Sequence, residues 1–106
     1  MYSIKDNEIE FEWDENKAVS NVKKHGVSFQ EAATAFSDDY GILFDDPDHS
    51  ADEHRELLIG LSSQLKLLIV CSCSRNNDMT IRIISARKAT QAEQETYLEY
   101  NGMVTK

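Results

Sequence analysis

Three runs of apolar and β-branched residues in the second half of the chain constrain its fold more than any other feature. They span residues 57–61, 66–73 and 79–86, with turn-favouring residues at 62–64 and 75–78 between them. Runs of this length joined by short polar turns predict a three-stranded antiparallel meander. Because the middle run is apolar on both faces, we expect it to be the central strand.

The first third of the chain predicts one short strand followed by two helices. Residues 8–13 alternate polar and apolar side chains, as a half-buried strand does. Asp14 is placed to cap a first helix that ends at Gly26. A second helix begins at once, with a capping box between Ser28 and Glu31.

The remaining segments complete an α+β domain. Residues 37–53 are acidic and rich in turn formers, with a short edge strand at 42–44. A second capping box, between Thr90 and Glu93, opens a last helix. We therefore expect a single domain, residues 1–106, with two N-terminal helices and one C-terminal helix. They pack on an antiparallel sheet made of the meander and the short N-terminal and edge strands.

The charge distribution separates the meander from the rest of the chain. The 19 acidic residues outnumber the 11 lysines and arginines, and the formal net charge of −8 disfavours a general nucleic-acid binder. Between Arg55 and Lys88, however, basic residues outnumber acidic ones, and every arginine of the chain lies in this window. Since the planar fork of arginine matches a phosphate, we expect the meander to be the anion-binding part.

Strand pairing predicts where these arginines lie. If each hairpin closes at the ends of the predicted runs, Arg55 and Arg82 share one face of the sheet near one end. Arg75 and Arg87 then fall on the other face, at opposite ends. Arg82 and Arg87 would lie about 17 Å apart, too far to hold one phosphate together. A register slip of one residue exchanges the faces, and any single arginine is also consistent with an ordinary exposed strand residue.

No metal, cofactor or membrane site is expected. Cys71 and Cys73 lie two residues apart on one face of a strand, which does not suit a disulfide, and we interpret them as small buried side chains. The spacing of five between His49 and His54 is off helical register for a metal pair. No apolar run reaches the roughly 20 residues of a membrane helix, and the N-terminus lacks a signal-peptide pattern, so we expect a cytoplasmic protein.

Two separated motifs resemble the signatures of the BrnT family of toxins. The first motif comprises residues 11–17 and 24–29, with Asn21 between them. The second comprises residues 81–89, followed by Glu93 and Tyr97. Their order and spacing along the chain make the resemblance specific.

The resemblance implies a fold related to RelE-type toxins and a ribonuclease activity. The family consists of RNA-cleaving toxins of type II toxin-antitoxin pairs, which inhibit translation and growth. The implied partner is a BrnA-type ribbon-helix-helix antitoxin, in an assembly of two toxins with two antitoxins. Operator DNA would be bound only through the antitoxin, which removes the objection raised by the acidic charge.

The motif positions, together with the chemistry of metal-free RNA cleavage, give two sets of site residues. The expected catalytic residues are Lys24, His25, His54, Arg55, Arg82 and Arg87. The expected substrate-binding residues are Arg75, Ser85, Lys88 and Tyr97. His25 is also consistent with a favourable cation at a helix end, and Tyr97 with a packing residue. The chain departs from the family pattern at residues 53–55, where Glu-His-Arg replaces the usual Glu-Glu-Arg, so the identity of the general base is open.

Metal-free cleavage needs a base for the 2′-hydroxyl, cations for the charge on the phosphate and an acid for the leaving oxygen. Our hypothesis is that Arg55, with Arg87 or Arg82, binds the scissile phosphate. His25 or His54 then moves protons, with Glu53 as a third proton carrier, and a 2′,3′-cyclic phosphate remains. The alternative is a non-catalytic or degenerate module that only binds its antitoxin and co-regulates the operon.

Overall fold

The computed structural model describes residues 2–6, 9–47, 54–75 and 79–103. The described elements, in chain order, are β1 (Tyr2–Asp6), β2 (Ile9–Trp13), α1 (Glu15–His25), α2 (Phe29–Thr34), β3 (Ile42–Asp45), β4 (Arg55–Leu61), β5 (Leu67–Arg75), β6 (Thr80–Lys88) and α3 (Gln91–Tyr100). A 3₁₀ turn, Ala35–Ser37, follows α2 directly. The predicted helices and strands are all present, and β1 is an additional strand that the sequence did not predict.

The six described strands form one mixed sheet in the order β1-β2-β6-β5-β4-β3. Strands β4, β5 and β6 make the predicted antiparallel meander, with β5 between the other two. Strand β2, however, pairs parallel with β6, so the prediction of a purely antiparallel sheet is wrong at this point. The long segment between β2 and β6 supplies the crossover connection that a parallel pair requires, and local sequence patterns do not encode such a pairing.

Side-chain caps fix the ends of the helices. Asp14 accepts hydrogen bonds from two backbone N–H groups at the start of α1, and Gly26 ends that helix with φ of 69°. The predicted capping box at Thr90 is complete. The box at Ser28 is only half formed, because the carboxylate of Glu31 turns inward and accepts from the Ser62 hydroxyl at 2.7 Å.

The main core lies between one face of the sheet and the pair α1 and α2, and we call this face the helix face. It contains an edge-to-face pair of Trp13 and Phe29, with ring centroids 5.9 Å apart. Other buried members include Phe11, Leu68, Val70 and Ile83. A smaller cluster, in which Tyr97 of α3 packs with Ile59 and Ile69, covers part of the opposite face. The helices therefore lie on both sides of the sheet. Within the described part of the chain, no helix has the length and hydropathy needed to cross a membrane.

Candidate active site

All four arginines of the chain project from the face of the sheet opposite the helix face. We call it the arginine face and define it by Arg55, Arg75, Arg82 and Arg87. Arg55 on β4 and Arg82 on β6 both pair with Cys73 of β5, so the three side chains form one row across the sheet. The two arginine Cα atoms in this row are about 10 Å apart, two strand spacings. Arg75 belongs to the same face because it follows Cys73 by two residues.

A β-bulge places Arg87 on this face as well. The register of β5 with β6 shifts between Cys71 and Ser72, so that Ser85 pairs with Cys71 while Ile83 pairs with Ser72. Ile84 is the extra residue that the bulge inserts. Without it, Arg82 and Arg87, five residues apart, would point to opposite faces. The prediction that Arg75 and Arg87 lie on the other face from Arg55 and Arg82 is therefore wrong, whereas the shared face of Arg55 and Arg82 is confirmed.

A cavity of about 260 Å³ opens on the arginine face. We call it the histidine cavity; it is lined by His25, Leu57, Ile69, Cys71, Ser85, Ala86 and Arg87. Three of the predicted site residues, His25, Ser85 and Arg87, thus come from two distant parts of the sequence and meet around one space. The cavity combines a titratable imidazole, a hydroxyl and a permanent cation.

Asn21 holds the end of α1, and with it His25, against β6. Strand β2 pairs with β6 only as far as Arg82, which leaves the edge of β6 open beyond that point. The buried Asn21 side chain pairs with this edge, donating to the carbonyl oxygen of Ala86 at 2.8 Å and accepting from its N–H at 3.1 Å. It also donates to the carbonyl oxygen of Val27 at 2.9 Å. The side-chain amide therefore takes the place of a neighbouring strand, and it fixes the junction between α1 and α2 beside the cavity.

Arg87 is held by a carboxylate that the sequence analysis did not place in the site. Its Nη1 and Nη2 donate to the two carboxylate oxygens of Glu93 at 2.7 and 2.9 Å. The Arg87 guanidinium lowers the pKa of Glu93 to about 2, and Glu93 raises the pKa of Arg87. The sequence signal for this pair was present, because Glu93 is both a motif residue and a capping residue six positions after Arg87.

Two further carboxylates lie among the arginines. Glu12 on β2 accepts from Arg82 at 3.2 Å and lies 3.9 Å from Arg75. Toward the β3 edge of the sheet, the Asp46 carboxylate lies 3.7 Å from the Cys71 thiol. Burial, followed by Asp46, raises the pKa of that thiol to about 11, and Arg55 opposes the rise. Both cysteine side chains are buried, as predicted.

His54 lies on the opposite face of the sheet from the four arginines. It precedes Arg55 and therefore points toward the helix face, where its Nε2 lies 3.2 Å from Asp45 and 3.9 Å from Glu56. Among the described residues, these three offer ligand atoms within 4.8 Å of one another, a spacing compatible with a cation. His49 and Glu53 lie outside the described residues.

The remaining predicted residues lie apart from the histidine cavity. Lys24 is exposed near the end of α1, and Lys88 is exposed at the end of β6, beside a different cavity of about 380 Å³. Tyr97 is 7% exposed, and its hydroxyl donates to Asp38 at 2.7 Å. Burial, followed by this hydrogen bond, raises the pKa of Tyr97 to about 12.

A larger cavity, of about 480 Å³, lies between α2 and the end of β4. Its lining includes Asp38 and Asp39 together with serine and threonine residues, and none of the predicted site residues is among the lining residues. Because its described lining residues include two carboxylates and no cationic side chain, this cavity repels a phosphate. We therefore take the smaller histidine cavity as the candidate site.

The fold and the site define a class of protein: a small α+β domain with one arginine-bearing face and a histidine at its cavity. The sequence profile of the family described as "Ribonuclease toxin, BrnT, of type II toxin-antitoxin system" matches residues 13–93. This chain therefore belongs to the BrnT family of ribonuclease toxins, whose type II systems pair each toxin with an antitoxin.

A solved structure shows the same fold. The crystal structure of the Brucella abortus ribonuclease toxin BrnT is similar, with a TM-score of 0.56 and 28% sequence identity. The match covers 74% of this chain and 94% of the Brucella chain. No curated protein matches the sequence. The BrnT resemblance found in the sequence is thus confirmed, whereas the relation to RelE-type toxins stays a prediction.

Proposed function

We propose that this chain is an endoribonuclease that cleaves RNA at the histidine cavity without a metal ion. The observation that carries the proposal is the meeting of His25, Ser85 and Arg87 around one cavity of about 260 Å³ on the face that also bears the other arginines. A phosphate in this cavity would have a fixed cation on one side and a proton carrier on the other. These are the groups that cleavage by the neighbouring 2′-hydroxyl requires.

The proposed reaction needs one proton carrier and one fixed cation. The neutral His25 imidazole takes the proton of the 2′-hydroxyl, whose oxygen forms a bond to phosphorus. Arg87 stabilises the negative charge that builds on the phosphate oxygens, and Ser85 donates a hydrogen bond to them. The bond from phosphorus to the 5′ oxygen then breaks, and the departing oxygen takes the proton from the imidazolium. A 2′,3′-cyclic phosphate and a free 5′-hydroxyl remain.

The other arginines bind flanking phosphates in this proposal. Arg55 and Arg82 flank Cys73, which is four residues along β5 from the partner of Arg87, Ile69. That separation is about 13 Å along the strand, more than one phosphate spans. We infer that Arg87 acts at the scissile phosphate, whereas Arg55, Arg82 and Arg75, which all lie further along β5 in the same direction, hold the RNA chain on one side of it.

The proposal is tested with the purified chain and naked RNA, in the presence and absence of EDTA. We expect cleavage to survive EDTA and to leave cyclic phosphate ends. His25→Asn should lower the rate by about 10²- to 10⁴-fold, and Arg87→Ala by about 10²- to 10³-fold. His54→Asn is the matched control, since His54 faces the other side of the sheet, and its rate should match that of the wild type.

Three results would contradict parts of this proposal. Activity abolished by EDTA contradicts metal-free cleavage. Full activity of an Arg82→Ala, Arg87→Ala double variant contradicts the role of the arginines. A rate that falls with His54→Asn and not with His25→Asn would move the proton carrier to the other face.

A second candidate function is a module that only binds its antitoxin. The carboxylates among the arginines favour it, because Arg82 and Arg87 already pair with carboxylates, Glu12 and Glu93, as they would with an acidic segment of an antitoxin. The two functions differ in what expression of the chain alone does to a cell. A nuclease arrests growth and a binding module does not, and co-expression of the adjacent small reading frame should relieve the arrest.

For the assembly, we propose a BrnA-type ribbon-helix-helix antitoxin in a complex of two toxins and two antitoxins. Operator DNA is contacted through the antitoxin, in the cytoplasm, and the RNA cleaved is RNA that supports translation. The mass of the co-purified complex, measured by light scattering, tests the stoichiometry. A mass that fits one toxin with one antitoxin would contradict it.

A further inference from the structure

Glu93 lies where β6 ends and α3 begins, and it contacts both elements. Its two carboxylate oxygens accept from Arg87 at 2.7 and 2.9 Å. One of them, Oε1, also accepts from the backbone N–H of Thr90 at 2.8 Å, while the Thr90 hydroxyl accepts from the Glu93 N–H at 3.2 Å. The helix N-terminus therefore fixes the carboxylate independently of Arg87.

The bonds to Glu93 leave one edge of the Arg87 guanidinium open. Of the five N–H donors of an arginine, the Nη1 pair is fully used, by Glu93 Oε1 and by the carbonyl oxygen of Lys88 at 3.3 Å. Nη2 gives one N–H to Glu93 Oε2. Within the described parts of the chain, the Nε–H and the second N–H of Nη2 have no hydrogen-bond partner. These two groups lie side by side and form the fork that binds a phosphate through two parallel hydrogen bonds.

The ion pair between Glu93 and Arg87 persists over the pH range in which an enzyme works. Because the neighbouring guanidinium holds the pKa of Glu93 at about 2, the carboxylate stays charged at neutral pH. A charged carboxylate weakens the attraction of Arg87 for a phosphate, but it removes the freedom of a long side chain. Fixing a donor before the reaction favours the transition state, in which the phosphate charge is largest.

We propose that Glu93 is a positioning residue that holds one edge of the Arg87 guanidinium so that the open Nε–H and Nη2–H edge receives the scissile phosphate. This inference rests on the proposed function. Glu93 does not touch the substrate and acts only through Arg87. This hydrogen-bonded arrangement consists of Arg87, Thr90 and Glu93, which follow one another at intervals of three along the chain.

The test compares the full chain with Glu93→Gln, using Glu95→Gln as the control. Glu95 is exposed on the same helix, so both variants remove one negative charge from α3. The glutamine at position 93 keeps an oxygen for the Thr90 N–H but loses the second oxygen that orients Arg87. We expect kcat on RNA to fall by about 10- to 100-fold in Glu93→Gln, as for a misplaced catalytic group. KM should stay equal or fall, since a repelling charge is gone, and Glu95→Gln should match the wild type.

A double-mutant cycle separates positioning from stability. In an Arg87→Ala background, Glu93→Gln should cause no further loss, because there is no guanidinium left to orient. An equal loss in both backgrounds would overturn the proposal, as would a wild-type kcat in Glu93→Gln. Glu93→Asp, which keeps the charge and shortens the arm, provides a second variant and should retain more kcat than the glutamine.

A measurement that needs no cleavage distinguishes failure of this inference from failure of the proposed function. The Arg87 Nε–H signal in a ¹⁵N NMR spectrum should be sharp in the wild type and broadened in Glu93→Gln. If the wild-type chain cleaves no RNA, the proposed function is contradicted, but the Arg87 signals of the two proteins can still be compared. An identical Arg87 signal in the two proteins contradicts the positioning role.

Discussion

Glu93 and Tyr97 are buried to different degrees on one helix, and each holds a partner through a strong hydrogen bond. Glu93 binds a permanent cation, and Tyr97 donates to the carboxylate of Asp38. The hydrogen bond from Arg87 favours the ionised form of Glu93, whereas the bond to Asp38 favours the neutral form of Tyr97. Low pH therefore acts on α3 at Glu93, and high pH acts on it at Tyr97.

Acid should destabilise the chain through Glu93. Its pKa is about 2 in the folded chain, below the ordinary value of 4.5, so its stabilising contribution is complete above pH 4.5 and is lost as the pH falls toward 2. We expect the free energy of unfolding of the wild type to fall more steeply over this range than that of Glu93→Gln. Urea denaturation at a series of pH values measures the difference, and parallel curves would contradict the assignment.

The Tyr97 hydroxyl contributes to stability in our interpretation, rather than to substrate binding. Tyr97→Phe removes one donor to Asp38, whose Oδ2 also accepts from the Leu61 N–H at 2.9 Å and whose Oδ1 accepts from the Tyr40 N–H at 3.0 Å. We expect a loss of about 1 kcal/mol in the free energy of unfolding, with the cleavage rate retained. Tyr100→Phe, on the same helix and 75% exposed, is the control and should change neither quantity. A large rise in KM for folded Tyr97→Phe would instead support the sequence-based hypothesis that Tyr97 binds substrate.

At the scale of elements, the junction of α1 with β6 is the part on which the histidine cavity depends. The helix lies along an edge of β6 that none of the described strands covers beyond Arg82, and Asn21 supplies hydrogen bonds to this edge. The bulge at Ile84 then turns the last residues of β6 so that Arg87 lines the same cavity as His25.

Replacing Asn21 should therefore cost more than an ordinary helix substitution. Asn21→Ala leaves the N–H and carbonyl of Ala86 and the carbonyl of Val27 without this partner in a buried place. We expect the free energy of unfolding to fall by about 2–4 kcal/mol. Ser20→Ala, exposed on the same helix, should be within about 0.5 kcal/mol of the wild type. Equal stability of the two variants would show that the side-chain bridge contributes little.

At the scale of the whole molecule, a strongly acidic chain presents one arginine-bearing face. In the proposed function, the net charge of −8 would repel RNA from most of the surface, while the arginine face would attract it. The RNA would then be oriented by charge asymmetry rather than by a basic total.

Binding of single-stranded RNA should depend on salt to an extent set by the arginines. Four phosphate contacts correspond to a slope of about −3 in log K against log salt concentration, at about −0.7 per contact. Arg82→Ala should make the slope less negative by about 0.7, whereas Lys17→Ala, exposed on α1, should leave it unchanged. Fluorescence anisotropy with the His25→Asn variant measures binding without cleavage. A slope near zero would contradict a phosphate-binding face.

Local sequence patterns predicted the elements well because they depend on neighbours along the chain. The caps at Asp14, Gly26 and Thr90 and the three meander strands are each specified within a few residues. The family resemblance was visible for the same reason, since each motif is a short contiguous stretch. His25, Ser85 and Arg87 all lie in those motifs.

What the sequence by itself determined is therefore the family and every described helix and strand except β1. The parallel pairing of β2 with β6, the bulge at Ile84 and the bridge from Asn21 to Ala86 were decided only by the tertiary structure. Each joins segments that are far apart in the chain or shifts side-chain alternation by one residue, and neither effect leaves a periodic signal. For that reason the sequence analysis divided the arginines between two faces, whereas the folded sheet places all of them on one.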